Sequence, residues 1–187
     1  MLQNSKAFKK YFTIGCCGID CGLCPRFYTE GSSRCPGCAG PDFFNKHPSC
    51  SFITCCVKEK NLEACGQCKK FPCTKFEREG KTDSFVTHRK IFINHDLIKK
   101  EGLAKFLGQQ RQRIKLLRKM LENFDEGRSK SYYCLAAAIM DISELKKTLA
   151  ETEKKSKNLD IKEKSKALSS IFDEIAKNKK YCLKLLK

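Results

Sequence analysis

The 187-residue sequence lacks long apolar runs. No stretch approaches the roughly 18 residues a helix needs to cross a bilayer, so no membrane association is expected. Its first fifteen residues, MLQNSKAFKKYFTIG, hold no apolar core of signal-peptide length, which argues against export and makes a cytoplasmic location the expectation. Several catalytic signatures are also missing: there is no HExxH, no serine-triad pattern and no phosphate-cradling glycine loop. No repeat at solenoid spacing is visible. Acidic residues are scarce, with 21 Asp and Glu against 38 Lys and Arg, a formal charge of +17. That imbalance makes nucleic acid a candidate partner alongside a protein. It needs discounting, because a four-cysteine zinc site carries a net charge of about minus two.

Cysteine is present in excess and unevenly. Twelve of the 14 cysteines lie between Cys16 and Cys73, and only Cys134 and Cys182 lie beyond. In a reducing compartment, closely spaced thiols hold metal more often than they pair with each other. The segment reads CCGIDCGLCP, CPGC, CSFITCC and CGQCKKFPC, with three CxxC pairs: Cys21 with Cys24, Cys35 with Cys38, and Cys65 with Cys68. Two thiolates two residues apart, on a backbone eased by glycine, reach one tetrahedral ion at about 2.3 Å. The other half-sites must come from Cys16, Cys17, Cys50, Cys55, Cys56 and Cys73, of which Cys16, a member of an adjacent pair, is the one to spare. His47 is a weaker substitute for a thiolate. The count permits two or three zinc ions and leaves the pairing open. Closed four-cysteine sites offer substrate no open position, so structural zinc is expected and no catalytic residue is assigned. The rival is an iron–sulfur or thiol redox protein, because Cys17, Cys21 and Cys24 have a CxxxCxxC spacing that also suits a four-iron cluster.

From Thr74 onward cysteines thin out and apolar residues take helical spacing, which sets a boundary near residue 80: a metal module over 1–80 and a basic helical region over 81–187. A helix is expected from about Asp96 to Phe124, with Leu103, Phe106, Leu107, Ile114, Leu117, Leu121 and Phe124 on one face and Arg111, Lys115, Arg118 and Lys119 on a solvated one. A second follows FDEGRSKS, capped by Ser129 or Ser131, with an apolar band from Tyr132 through Leu135, Ala136, Ile139, Ile142 and Leu145 to Leu149. Residues 151–166 read as linker or exposed helix. A last helix carries Leu168, Ile171, Phe172 and Ile175, and the tail YCLKLLK prolongs it or forms a short strand. The fold class is therefore mainly α with an irregular cysteine-rich zinc module, a small α+β arrangement being the variant.

Arg128, Ser129 and Lys130, at a glycine turn before a helix, form a candidate anion site, although a plainly capped helix explains them equally. Cys134 is expected to be a buried helical cysteine, and His88 with Arg89 a satisfied polar cluster.

CGIDCGLCP at 17–25, CPGC at 35–38, CVKEK at 56–60, CGQCKKFPC at 65–73, DSFVTHRK at 83–90 and GRSKSYYCLAA at 127–137 together resemble the domain of unknown function 3795 family, small cysteine-rich proteins. The resemblance implies a metal-binding module fused to helices and carries no activity with it. Two doubled cysteines depart from the pattern. Cys17 and Cys56 match by the residues that follow them, whereas Cys55 fits the spacing from Cys50 better.

Overall fold

A computed structural model describes residues 8–47 and 49–187. The first seven residues of the basic lead-in, and Pro48 of the HPSC segment, lie outside it. Five helices make the second part of the chain: α1 (Ile91–Glu101), α2 (Leu103–Asn123), α3 (Lys130–Ile139), α4 (Ile142–Lys155) and α5 (Ile161–Lys179). No strand occurs among the described residues, so the fold is mainly α and the α+β variant is set aside.

The helix expected over 96–124 is two helices. It begins earlier, at Ile91, and breaks at Gly102, whose φ of 87° and ψ of 158° are open to glycine and closed to other residues. The band from Tyr132 to Leu149 is likewise split, because Met140 and Asp141 are extended and α4 restarts at Ile142. Of the two readings of 151–166, helix holds for most of it: α4 runs to Lys155, and α5 starts at Ile161 under a capping box. In that box Asp160 accepts from the Glu163 amide at 2.9 Å while the Glu163 carboxylate accepts from the Asp160 amide at 3.1 Å. The tail neither prolongs α5 nor pairs as a strand. Lys180 takes a left-handed conformation, and the tail then runs extended, held by Arg89 on the carbonyls of Cys182 and Lys184 and by Asp83 on the amide of Leu186.

The main core lies among α2 to α5, where Leu117, Met120, Phe124, Tyr133, Met140, Leu145, Leu149, Leu168 and Phe172 are almost wholly buried. Leu23, from the cysteine-rich part, inserts into the same core. Ile14 and Ala64 pack on Ile98, Phe106 and Leu107 in a second cluster. The cysteine-rich part itself is built from single turns, among them Cys21–Leu23, Pro25–Tyr28 and Cys65–Gln67, and its own cluster is made largely of thiols with Ala39 and Ile53. Sulfur takes the place that a larger apolar core would fill.

Candidate metal centre

One buried group of thiols stands out. Cys38 Sγ donates to Cys16 Sγ at 3.7 Å, and the Cys16 amide donates to Cys38 Sγ at 3.4 Å. Cys56 and Cys65 pack in the same cluster, where Cys56 Sγ donates to the Leu62 carbonyl at 3.3 Å. The result is one sulfur–sulfur contact, Cys16 with Cys38, inside a cluster that Cys56 and Cys65 complete. Cys16, treated as spare on sequence grounds, belongs to it and is 1% exposed. The signal for it was the doubled cysteine itself.

These thiols are held protonated in the absence of metal. Cys16 is pushed up to about 12: the bond from Cys38 works against the shift, while the nearby Cys56 thiol and burial produce it. Cys56 also stands at about 12, with the nearby Cys16 opposing the shift and the nearby Cys65 and burial producing it. Cys38 lies well above the ordinary thiol range because it donates to Cys16 and is buried. Burial alone is the leading cause for Cys17, at about 12, and for Cys21 and Cys24.

Lys9 brings a charged side chain into this buried setting. It is 4% exposed, and its ammonium donates to the Ile14 carbonyl at 2.6 Å. Its charge favours the thiolate forms of Cys16, Cys38, Cys56 and Cys21. A buried cation needs a counter-charge, and four neutral thiols supply none. Four thiolates around a divalent ion supply about two negative charges.

The remaining cysteines are placed as follows. Cys17, Cys21 and Cys50 are half-buried, with Cys21 and Cys50 packed against the buried group and the charges of Cys38 and Cys50 acting on Cys17. Cys24 is buried between the influence of Cys35 on one side and of Cys134 on the other. Cys35 Sγ lies 3.4 Å from His47 Nε2, and the His47 ring stacks on Phe43, so the histidine read as a weaker substitute for a thiolate is in contact with a thiol. Cys55, Cys68 and the exposed Cys73 line a cavity of ≈ 300 Å³ that Cys56 and Cys65 also reach. Among the described residues, no three Cys, His, Asp or Glu side chains already converge on a single ion's coordination shell. Closing any group on a metal therefore takes side-chain rotation.

Three helical residues clasp the module, and the sequence reading missed all of them. His95 is 0% exposed; its Nδ1 accepts from the Gly66 amide at 3.0 Å, inside the third CxxC turn. That bond fixes the proton on Nε2, which is directed at the Cys17 backbone without reaching good hydrogen-bond geometry. Burial holds its imidazole neutral, down to about 4. Gly18 and Gly66 are needed here, since a Cβ on either would lie within 3.0 Å of the His95 ring. One residue earlier, Asn94 donates to the Gly18 carbonyl and to Asp20 Oδ2, each at 2.9 Å. Gln110 of α2 donates to Asp20 Oδ1 at 2.8 Å and to the Thr13 carbonyl at 2.9 Å. Burial raises the Asp20 carboxyl against these two side-chain donors. Asn94 and His95 share the core face of α1 with Ile91 and Ile98, and polar residues at those helical positions were the available signal.

At the glycine turn, the free amides expected to draw an anion are already used. Asp125 accepts from the amides of Gly127 and Ser129, at 3.0 and 3.1 Å. The Ser129 hydroxyl bonds Glu126 and Ser165, Lys130 reaches the Tyr28 carbonyl, and Arg128 is exposed. His88 meets Ser84 and Glu79, Arg89 meets Asp83 and the tail, and Cys134 is 2% exposed with its pKa raised by burial.

Cysteine groups clasped to a helical body define a cysteine-rich, mainly helical protein. Residues 13–78 match the model of a family described as protein of unknown function (DUF3795). No curated protein and no solved structure matches the chain. No helix among the described residues is long and apolar enough to cross a membrane.

Proposed function

We propose that residues 16–73 form a structural metal module that binds two or three zinc ions through cysteine thiolates and presents the folded chain as a binding or scaffolding unit in the cytoplasm, with no catalytic step at the metal. The observation that carries this is the buried Cys16–Cys38 thiol contact beside Lys9, in one cluster with Cys56 and Cys65. The 3.7 Å between the Cys16 and Cys38 sulfurs matches the edge of about 3.8 Å expected for two thiolates on one tetrahedral zinc. Cys16, Cys38, Cys56 and Cys65 are assigned to one ion, with Lys9 offsetting part of the charge. Its partner is a protein. The exposed Arg111, Lys115, Arg118 and Lys119 serve solubility, and Lys119 is partly neutralised by Glu153 at 3.6 Å.

Elemental analysis with a visible spectrum, on protein purified anaerobically, tests the reading. Two or three zinc per chain in colourless protein is the expected result, with one ion lost in Cys16→Ser and in Cys56→Ser. Stoichiometric iron with a broad visible band would replace zinc by an iron–sulfur cluster on the same thiols.

A further inference from the structure

We infer that the cavity beside the third CxxC turn is a binding site for a small aromatic carboxylate, with the ring held inside and the carboxylate at the mouth. The site is independent of the zinc reading, since it uses the shape and charge of the cavity and no metal. At ≈ 300 Å³ the cavity stands at the small end of the range for small-molecule sites, about 300–1,000 Å³. Its inner wall is aromatic. Phe71 and Phe76 are buried and Phe52 is half-buried, and Phe76 meets both of the others edge to face with centroids 4.9 Å apart. Behind the wall, Phe71 and Phe76 rest on the His95 ring, at 4.5 and 5.5 Å between centroids, and pack with the fully buried Ile91. The rings are thus fixed before a ligand arrives, which spares binding the cost of ordering them.

The rest of the lining selects the two ends of the ligand. Five cysteines reach the cavity, and polarisable sulfur makes favourable contacts with the edge of an aromatic ring, which favours an aromatic guest over an aliphatic one. Charge at the mouth has one sign. Lys60, Lys70 and Lys75 line the cavity and are exposed. Among the described residues no Asp or Glu lines it, and none of these three lysines takes part in an ion pair. Three cations without a counter-charge around an apolar opening attract an anion and give no such gain to a neutral ligand. A ring inside and a carboxylate at the opening fit both halves, and they keep the anion apart from the thiols within.

Calorimetric titration of the full-length protein, purified anaerobically with its zinc counted, tests the site. The probes are 3-phenylpropionate, its neutral amide 3-phenylpropanamide, and propionate. The expected result is that 3-phenylpropionate binds, that the amide binds about 3–10-fold more weakly, as exposed charge pairs contribute modestly, and that propionate, without a ring, does not bind. Phe52→Ala, and separately Lys70→Glu with Lys75→Glu, should each weaken 3-phenylpropionate at least as much. Lys58→Glu, exposed and outside the cavity, should leave it unchanged. The lysine variants change only exposed side chains, and an unchanged far-UV circular dichroism spectrum shows that they are folded. Equal affinity for acid and amide would overturn the carboxylate. No binding of 3-phenylpropionate, or binding indifferent to both cavity variants, would overturn the site and, with zinc still counted, leave the structural module standing. A chain that holds no zinc and still binds the acid as expected would keep this site and remove the metal reading.

Discussion

Replacing Asp20 by Asn probes the clasp between module and helices with an almost unchanged shape. In the native protein both carboxylate oxygens accept: Oδ1 from Gln110 at 2.8 Å and Oδ2 from Asn94 at 2.9 Å, in a site where Asp20 is 6% exposed. An asparagine there can satisfy only one neighbour. Its own NH2 must face the NH2 of the other, which leaves two buried donors opposed. A buried donor without an acceptor costs about 1–3 kcal/mol, and the lost carboxylate also removes the charge facing Arg113 and Lys90. Asp20→Asn is therefore expected to lower unfolding stability by about 2–4 kcal/mol. Denaturant unfolding followed by far-UV circular dichroism measures it, with a chelator competition on the same samples. Because Asp20 lies in the turn between Cys17 and Cys21, release of metal to the chelator should quicken as well. Asn94→Ala supplies the second edge of a double-mutant cycle. The double variant should lose less than the sum of the singles, by about 1 kcal/mol, because both remove one contact. A loss under about 0.5 kcal/mol for Asp20→Asn, or strict additivity in the cycle, would refute the clasp.

Acidification tests His95. Its imidazole stays neutral in the fold down to about 4, whereas the unfolded chain takes up the proton near 6.5. The stability it contributes is complete above pH 6.5 and is lost as pH falls from 6.5 to about 4, in all about 3 kcal/mol. Unfolding curves across that range should show this slope in the native protein and not in His95→Gln; parallel slopes would remove the assignment. Gly18→Ala places a Cβ 2.8 Å from His95 Nε2 and 2.9 Å from the Ile91 carbonyl at a φ of +92°. It should destabilise by about 1–3 kcal/mol in the same assay. Lys9→Met removes the buried counter-charge and should weaken zinc binding about 10–100-fold in competition with a chromophoric chelator, while Cys134→Ala, in the helical core, should leave zinc stoichiometry unchanged.

What could be read from the sequence divides along physical lines. Helical periodicity is local, so α5 and the apolar face of α2 were legible from spacing, with Phe106, Leu107 and Leu117 buried as expected. The two helix breaks were not. Apolar spacing runs straight through Gly102 and through Met140–Asp141, and an interior glycine is ambiguous without its φ. Asp141-Ile-Ser-Glu144 did carry a helix-start pattern, although in the fold both carboxylates accept from the Tyr181 hydroxyl instead of capping. In the module, the CxxC units announce thiol chemistry, but which sulfur meets which is fixed by contacts far apart in sequence. Cys16 with Cys38, and His47 with Cys35, arise from loop packing that spacing cannot encode. His95, Asn94 and Gln110 follow the same rule, since their partners lie in a different part of the chain.

Those partners have a bearing on the order of folding. Asn94 and Gln110 reach Gly18, Asp20 and Thr13 across 74 to 97 residues of chain. The helices close on near neighbours first, because long loops must give up more entropy before a contact rewards them. The first part of the chain to leave the ribosome is thus among the last to take shape. At about 5–20 residues per second, everything after Cys73 takes on the order of ten seconds to synthesise. Through that interval the thiols between Cys16 and Cys73 stand open to whatever thiophilic ions and oxidants surround the nascent chain.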